Sequence, residues 1–171
     1  MQIEYIVTNR KCNTHNQNRN WCKAKTKIGD IFIEAENEAI TKISFKKFDT
    51  TSADCNKQVL KGAISQINEY LDGKRKVFDL AIKVYGSEFE IKVLKQLAEI
   101  PYGNTKTYGE IAKKISCKSA QAVGGACGRN PIPLVIPCHR IVGKNNALVG
   151  FNGGIEIKQK LLSIENNNKF L

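Results

Sequence analysis

Two short stretches in the first half of the chain combine apolar and polar positions and are rich in Ile, Phe and Thr, a composition that is typical of β-strands. They are residues 29–35 and 39–45, and the polar residues 36–38 between them predict a hairpin turn. A third strand is predicted at 78–84, where apolar residues again dominate. The segment before Trp21 is rich in Asn, Lys and Arg, and we expect a loop or a poorly packed edge there.

Residues 58–71 show the pattern of a helix, because their apolar positions recur every three or four residues and so lie on one face. That face comprises Leu60, Ile64, Ile67 and Leu71. One helix among several strands predicts a small α/β domain over 1–85. We place the domain boundary near Tyr85 and Gly86.

The second half of the chain, 86–171, is predicted to be mainly helical. Ser87 and Glu90 form a capping-box pattern that opens one helix. Thr107 and Glu110 form another, which opens a short helix ending near 115. A turn at 116–119 and a further helix over 120–128 complete a helix-turn-helix outline, which on its own is common to many helical domains.

The helix predicted over 120–128 is almost devoid of long side chains, since it reads Gln-Ala-Val-Gly-Gly-Ala-Cys-Gly from Gln121. Each interior glycine costs about 1 kcal/mol relative to alanine. Adjacent glycines indicate a close approach, either by a packed helix or by DNA. A helix this slim suits the minor groove, where base reading is degenerate. We expect DNA binding with little sequence preference, and a phosphate contact from Arg129.

The overall charge also favours nucleic acid as a partner. The 171 residues carry a net charge of +11, from 27 Lys and Arg against 16 Asp and Glu. Such an excess favours a polyanionic partner, although a generally basic protein would have the same charge. Apolar runs are too short for a membrane span and the N-terminus has no signal-peptide core, so we expect a soluble, intracellular protein.

The six cysteines lack the compact spacing of a disulfide framework and are interpreted as free thiols. Cys12, His15 and Cys22 are the set that most resembles a metal site, but their spacing matches no common zinc pattern. We therefore predict neither a metal nor a cofactor.

The segment Ile136-Pro-Cys-His-Arg140 places a thiol beside a base and a cation, at the end of an apolar run. A free thiol has a pKa of about 8.5. The neighbouring His139 and Arg140 are expected to lower the pKa of Cys138 and favour the reactive thiolate. The alternative is an inert buried cysteine beside polar residues.

A histidine that activates a thiol needs an orienting carboxylate. Residues 155–165 are predicted to form a helix, with Ile157, Leu161 and Ile164 on its buried stripe. Glu165 shares that stripe and should point inward, whereas Glu156 should face solvent. A buried carboxylate requires a partner, and His139 is the expected one. The alternative is an exposed Glu165 at a frayed helix end.

These motifs together resemble the O6-alkylguanine-DNA alkyltransferases, also called methylated-DNA–protein-cysteine methyltransferases. The resemblance rests on Asn130-Pro131, Ile136-Pro-Cys-His-Arg-Ile-Val142, Ile100-Pro-Tyr-Gly, Tyr108-Gly-Glu-Ile-Ala, Ala122-Val-Gly-Gly-Ala, Gly150-Phe-Asn-Gly-Gly and Leu161-Leu162 with Glu165. It is strong over 85–165, fainter over 27–80 and absent before. It implies a ribonuclease-H-like sheet with a helix, followed by a helical, winged-helix-like domain with a helix-turn-helix.

The resemblance also implies a role for each matching residue. Cys138 would accept the alkyl group, His139 would deprotonate it through a water, and Glu165 would orient His139. Asn130 would brace the turn beneath the site, and Tyr108 would help to protonate the departing guanine. The residues implied around the alkylguanine are Val142, Phe151, Asn152 and Lys158.

The implied reaction is DNA repair by direct reversal. A base flipped out of the duplex would transfer its methyl or alkyl group irreversibly, so that each protein molecule acts once. The residues expected at the DNA are Gln121, Ala122, Gly124, Gly125, Arg129 and Arg140. Familiar members have arginine where this chain has Gln121, which puts the efficiency of flipping in doubt. The implied protein is a cytoplasmic (or, in a eukaryote, nuclear) monomer.

Two other functions fit part of the pattern. Non-enzymatic proteins that bind alkylated DNA resemble this fold but lack the cysteine, so the presence of Cys138 argues against that function. A cysteine hydrolase would use Cys138, His139 and Glu165, but it would leave the basic charge and the glycine-rich helix unexplained.

Overall fold

A computed structural model describes residues 1–8, 19–47 and 55–166. These residues form two compact units, Met1–Ser87 and Glu88–Leu171. The boundary expected from the sequence lies two residues before this division. Cys12 and His15 of the hypothetical metal set lie outside the described residues. No helix in the described part of the chain is both long and apolar enough to cross a membrane.

The first unit is a five-stranded sheet with one helix. Its elements are β1 (Gln2–Val7), β2 (Arg19–Thr26), β3 (Gly29–Glu36), β4 (Ala39–Ser44), α1 (Gln58–Leu71) and β5 (Ala81–Gly86). The strand order is β1-β5-β4-β3-β2. The β2-β3-β4 meander is antiparallel, and β5 pairs in parallel with both β1 and β4.

The core of this unit lies between α1 and the strands β2, β3 and β4, against which α1 packs. Ile31 and Ile33 of β3 are fully buried, and Phe32, Glu34 and Glu36 on its other face are buried as well, so burial does not alternate along this strand. The buried residues of α1 are Leu60, Ala63, Ile67, Tyr70 and Leu71. The prediction of this helix was right in its bounds, but Ile64 is only half-buried and Ala63 takes the inner position.

Three strands differ from expectation. Strands β1 and β2 were not predicted. They are the two edge strands of the sheet, and the edge position accounts for the polar sequence of β2. Strand β5 starts at Ala81, three residues later than predicted.

The second unit contains four helices within the described residues and a short parallel strand pair. The helices are α2 (Glu88–Ala98), α3 (Tyr108–Lys114), α4 (Ala120–Gly128) and α5 (Ile155–Glu165), and the strands are β6 (Lys106–Thr107) and β7 (Ile141–Val142). The predicted capping box at the start of α3 is confirmed in both directions between Thr107 and Glu110. Ser119 caps α4 by accepting a hydrogen bond from the Ala122 amide at 3.1 Å.

The strand pair brings two distant segments together. Thr107 of β6 lies opposite Val142 of β7. Tyr108 follows Thr107 directly, and a 3₁₀ turn over Cys138–Arg140 immediately precedes β7. This pairing therefore places the first residue of α3 close to the chain that carries the cysteine.

Candidate active site

Cys138 sits on a turn that Asn130 holds in shape. The Asn130 side chain donates to the Ile136 carbonyl at 2.8 Å and accepts from the Ile132 amide at 3.1 Å. The Cys138 amide also donates to the Ile136 carbonyl, at 2.8 Å. Asn130 and Cys138 are each 5 % exposed, so the thiol is held in an almost closed environment.

The Cys138 thiol is not acidified in this environment. Burial raises the pKa of Cys138 to about 11, although a hydrogen bond with Asn130 and the charge of Lys158 oppose the shift. We had expected His139 and Arg140 to lower this pKa, and that expectation is corrected, because desolvation of the thiolate outweighs the nearby charge. The resting side chain is a neutral thiol that needs a base before it can react.

His139 follows Cys138 in the chain, and its ring is paired with Glu165. Nε2 of His139 donates to Oε1 of Glu165 at 2.9 Å, and both side chains are fully buried. A carboxylate only accepts hydrogen bonds, so Nε2 carries the proton and Nδ1 carries the lone pair. Burial lowers the pKa of His139, although the hydrogen bond to Glu165 favours the charged ring. Glu165 thus points inward, as its spacing predicted.

Arg140 lies inside the unit and not on its surface. It is 7 % exposed, and its guanidinium binds the Glu165 carboxylate, with Nη2 2.8 Å from Oε1. The expectation that Arg140 contacts DNA is corrected by this placement, since a buried and paired guanidinium does not reach a phosphate.

A pocket of about 290 Å³ opens above the thiol. Its lining residues are Tyr108, Gly124, Cys127, Gly128, Cys138, Gly150, Phe151 and Asn152. Burial, together with the nearby thiols of Cys127 and Cys138, raises the pKa of Tyr108 to about 12, so its phenol keeps its proton at neutral pH. The Phe151 ring stands edge-on to His139, with ring centroids 6.5 Å apart.

Two of the residues expected around the substrate are fully buried and do not line the pocket. Val142 is fully buried in β7 and is not among the lining residues. Lys158 is also fully buried, and its Nζ donates to the Val149 carbonyl at 2.7 Å and to the Gly150 carbonyl at 3.3 Å. Burial lowers the pKa of Lys158. Lys158 therefore supports the loop that carries Phe151 and Asn152.

The buried face of α5 differs in part from the prediction. Ile157 and Ile164 are only half-buried, whereas Lys158 and Leu162 join Leu161 in the interior. Lys158 lies three and four residues before the buried Leu161 and Leu162, and this spacing could have indicated that the lysine points inward.

Sequence reasoning did not single out Cys127. This thiol is 6 % exposed and lines the pocket from α4. Burial raises the pKa of Cys127 to about 12. Cys127 and Gly128 lie three and four residues after Gly124, on the same face of the helix. This spacing could have indicated that the three residues line one pocket wall.

The remaining residues expected at the DNA lie on or near the surface of α4. Gln121 and Ala122 are exposed. A side chain at Gly125 would meet the Arg129 guanidinium at 3.3 Å, and one at Gly124 would touch the Tyr108 ring at 3.6 Å. The Gly125 distance is tighter than an ordinary contact, so this glycine has a packing reason that comes from a side chain, whereas a side chain at Gly124 would make ordinary van der Waals contact.

Arg129 is partly exposed and already paired. Its side chain is 48 % exposed, and its Nε donates to Glu90, a residue of α2 that is only 7 % exposed. The guanidinium is accessible from the surface of the unit while the buried carboxylate holds one of its donors.

Among the described residues, no group of three or more His, Cys, Asp and Glu side chains is placed to bind a metal ion.

The sequence matches two family profiles that together cover most of the chain. One is described as 6-O-methylguanine DNA methyltransferase, DNA binding domain, and matches residues 88–167. The other is described as 6-O-methylguanine DNA methyltransferase, ribonuclease-like domain, and matches residues 21–84.

Individual relatives give the same result. The chain is 38 % identical over 150 residues to the inducible methylated-DNA–protein-cysteine methyltransferase of Bacillus subtilis, covering 85 % of this chain and 84 % of that protein. It is 46 % identical over 114 residues to the enzyme of that name from Methanosarcina mazei, covering 66 % and 72 %. The crystal structure of Mycobacterium tuberculosis OGT in complex with DNA superposes with a TM-score of 0.81 at 34 % identity, covering 86 % of this chain and 93 % of that one.

Proposed function

Since this chain belongs to the 6-O-methylguanine DNA methyltransferase family, we propose that Cys138 is the residue that accepts the alkyl group during direct-reversal DNA repair. One observation carries the assignment: a thiol at the base of a pocket, beside a histidine whose far nitrogen is held by a buried carboxylate. Asn130 keeps the turn that presents the thiol in shape.

In the first step the thiol loses its proton. Nδ1 of His139 takes this proton through a water, and Glu165 stabilises the imidazolium through Nε2. Because burial raises the pKa of Cys138 to about 11, the thiolate forms only when this base acts on it.

In the second step the thiolate attacks the alkyl carbon on O6 of guanine. A sulfur–carbon bond forms while the carbon–oxygen bond breaks, and the electron pair stays on guanine. Tyr108, which lines the pocket and holds its proton, donates to the departing base and lowers the barrier to its release. The thioether on Cys138 does not revert to a thiol, so each molecule acts once.

The target base reaches the thiol by leaving the duplex stack. We propose that α4 enters the minor groove with little sequence preference, with Gln121 filling the space of the flipped base and Arg129 contacting phosphate. The exposed position of Gln121 and Ala122 supports this arrangement. Phe151 and Asn152 contact the flipped base, and Lys158 acts from beneath by supporting their loop. Val142 supports the pocket from β7.

We propose that the protein acts as a monomer in the cytoplasm, or in the nucleus if the cell is eukaryotic. The chemistry needs one thiol and one lesion, and the residues assigned to it all come from one chain. A reducing compartment would keep the acceptor thiol available.

A transfer experiment tests the function directly. The protein is incubated with duplex DNA containing one O6-methylguanine, and the modified peptide is identified by mass spectrometry. We expect one methyl group per protein molecule, located on Cys138, and none on a Cys138→Ser variant. Turnover beyond one equivalent, or labelling of another residue, would contradict the proposal. Tight binding to the lesion without transfer would instead indicate a non-enzymatic lesion-binding protein.

A further inference from the structure

The Glu165 carboxylate is held from several sides. Its Oε1 accepts from His139 Nε2 at 2.9 Å and from Arg140 Nη2 at 2.8 Å. Arg140 Nε lies 3.0 Å from both carboxylate oxygens, and the Gly103 amide donates to Oε2 at 3.0 Å. A carboxylate with this many donors has one orientation, and that orientation determines where the His139 ring points.

Arg140 is itself held in place. Its Nη1 donates to the Ile100 carbonyl, and its guanidinium lies over the Tyr102 ring at 5.8 Å from the ring centroid. Its side chain is only 8 % exposed. Since both edges and one face of the guanidinium are engaged, the side chain is a fixed part of the site.

The charge of Arg140 acts on His139 in two opposing ways. It favours the ionised Glu165, which attracts a proton to the imidazole, and it directly repels that proton. The titratable or charged groups around His139 are Cys138 on the same turn, Arg140, and Lys158 and Glu165 from α5. Arg140 and Lys158 oppose protonation of the ring and Glu165 favours it, and the ring is fully buried.

We propose that Arg140 is a positioning residue of the transfer reaction, which fixes Glu165 against His139 and keeps the resting imidazole neutral and able to accept the Cys138 proton. This inference rests on the proposed role of His139 as the base, and it adds the group that controls when that base is available. A protonated imidazole would have no lone pair at Nδ1 for the thiol proton. The charge of Arg140 therefore lowers the pH down to which the protein can still react.

The test compares the pH dependence of single-turnover methyl transfer in Arg140→Gln and Arg140→Lys. Removal of the charge raises the pKa of His139, so the acid limb of the rate profile should move to higher pH by about one unit in Arg140→Gln. Arg140→Lys keeps the charge and should keep the acid limb of the wild type, even if its rate is lower at every pH. Lys92→Gln removes an exposed positive charge of α2 and is the matched control, with an unchanged profile expected.

A purely structural role predicts a different result. In that case Arg140→Gln would lower the rate equally at all pH values, and the acid limb would not move, which overturns the inference. Transfer of no methyl group by the wild-type protein would instead defeat the proposed function itself, so the two failures are distinguishable.

A measurement on the wild-type protein covers the possibility that Arg140→Gln does not fold. NMR titration of the His139 ring should find it neutral at pH 6.5, with Nε2 protonated and Nδ1 not. A ring that is mostly charged at that pH would overturn the inference without any variant.

Discussion

The buried network of Cys138, His139, Arg140 and Glu165 stores a neutral thiol next to a neutral base. Neither group is charged until a proton moves between them, and the lowered pKa of Glu165 keeps this carboxylate ionised throughout. Such a site is protected from adventitious oxidation and alkylation, since the thiolate is the reactive form of cysteine. For a protein that uses its thiol once, this protection preserves the acceptor until a lesion arrives.

At the residue scale, Glu165 should make stability depend on pH in a defined window. Burial raises its pKa, but His139 and Arg140 outweigh this effect and lower the pKa from 4.5 to about 2. The resulting stabilisation, on the order of 3 kcal/mol, is fully present above pH 4.5 and is lost as the pH falls through the folded-state value. In urea unfolding experiments, the free-energy difference between wild type and Glu165→Gln should shrink as the pH falls from 4.5 to 2.

Glu156→Gln provides the control for this prediction, because Glu156 is an exposed carboxylate on the same helix. Its free-energy difference from the wild type should stay small across the whole range. A difference for Glu165→Gln that is independent of pH would show that the carboxylate is not held as the structure describes.

A second residue-scale prediction concerns Gln121, which is exposed at the start of α4. Gln121→Arg adds a charge that attracts the DNA backbone and a longer side chain to fill the space of a flipped base. It should speed repair of O6-methylguanine in duplex DNA and leave the reaction with a free O6-alkylguanine base unchanged. Rates on both substrates, measured by single-turnover kinetics, check this; an equal change on both would refute it.

At the scale of the element, α4 illustrates why a glycine in a helix needs its own explanation. Gly125 lies against the Arg129 guanidinium at 3.3 Å from an added Cβ, whereas Gly62 in α1 has nothing within 4 Å. Both glycines are in helices and cost about 1 kcal/mol of helix propensity relative to alanine. Their environments, and not their propensities, should therefore decide the effect of substitution.

Substitution of these two glycines by alanine is expected to have different effects. Gly62→Ala should raise the free energy of unfolding by up to about 1 kcal/mol. In Gly125→Ala the new Cβ would lie 3.3 Å from the Arg129 guanidinium, which must shift slightly while it is paired with Glu90, so stability should gain less than in Gly62→Ala or fall. Thermal unfolding of both variants tests this. An equal rise in stability in both would show that the Arg129 side chain moves aside without weakening its pairing with Glu90.

At the scale of the whole molecule, the dominant feature is the net charge of +11. Neutralisation of phosphates releases counterions, so affinity for undamaged duplex DNA should fall by about tenfold or more between about 50 and 200 mM salt if two or more phosphates are contacted. The reaction with a free alkylguanine base should be nearly insensitive to salt over this range. Fluorescence anisotropy measures the first quantity; an affinity independent of salt would mean that the charge is not used for DNA.

Local periodicity and motif spacing were enough to predict much of this protein. The bounds of α1, α4 and α5, the capping box of α3 and the inward direction of Glu165 all depend on residues a few positions apart. The order of motifs around Cys138 was enough to recognise the family. These features are local, so the sequence by itself determines them.

The use of the charged groups depends on contacts between segments that are far apart in the chain. Strand β2 was not predicted because its sequence is polar, as an edge strand allows. Its Arg19 lies 3.6 Å from Glu34 and 3.5 Å from Glu36, two buried carboxylates of β3, and neither contact follows from a local period. The sequence led to the expectation that Arg140 contacts DNA, because the buried position of Arg140 involves the carbonyl of Ile100, forty residues away, which no local pattern reveals. The pKa of Cys138 rises because desolvation exceeds the effect of nearby charge, and burial is a property of the folded chain.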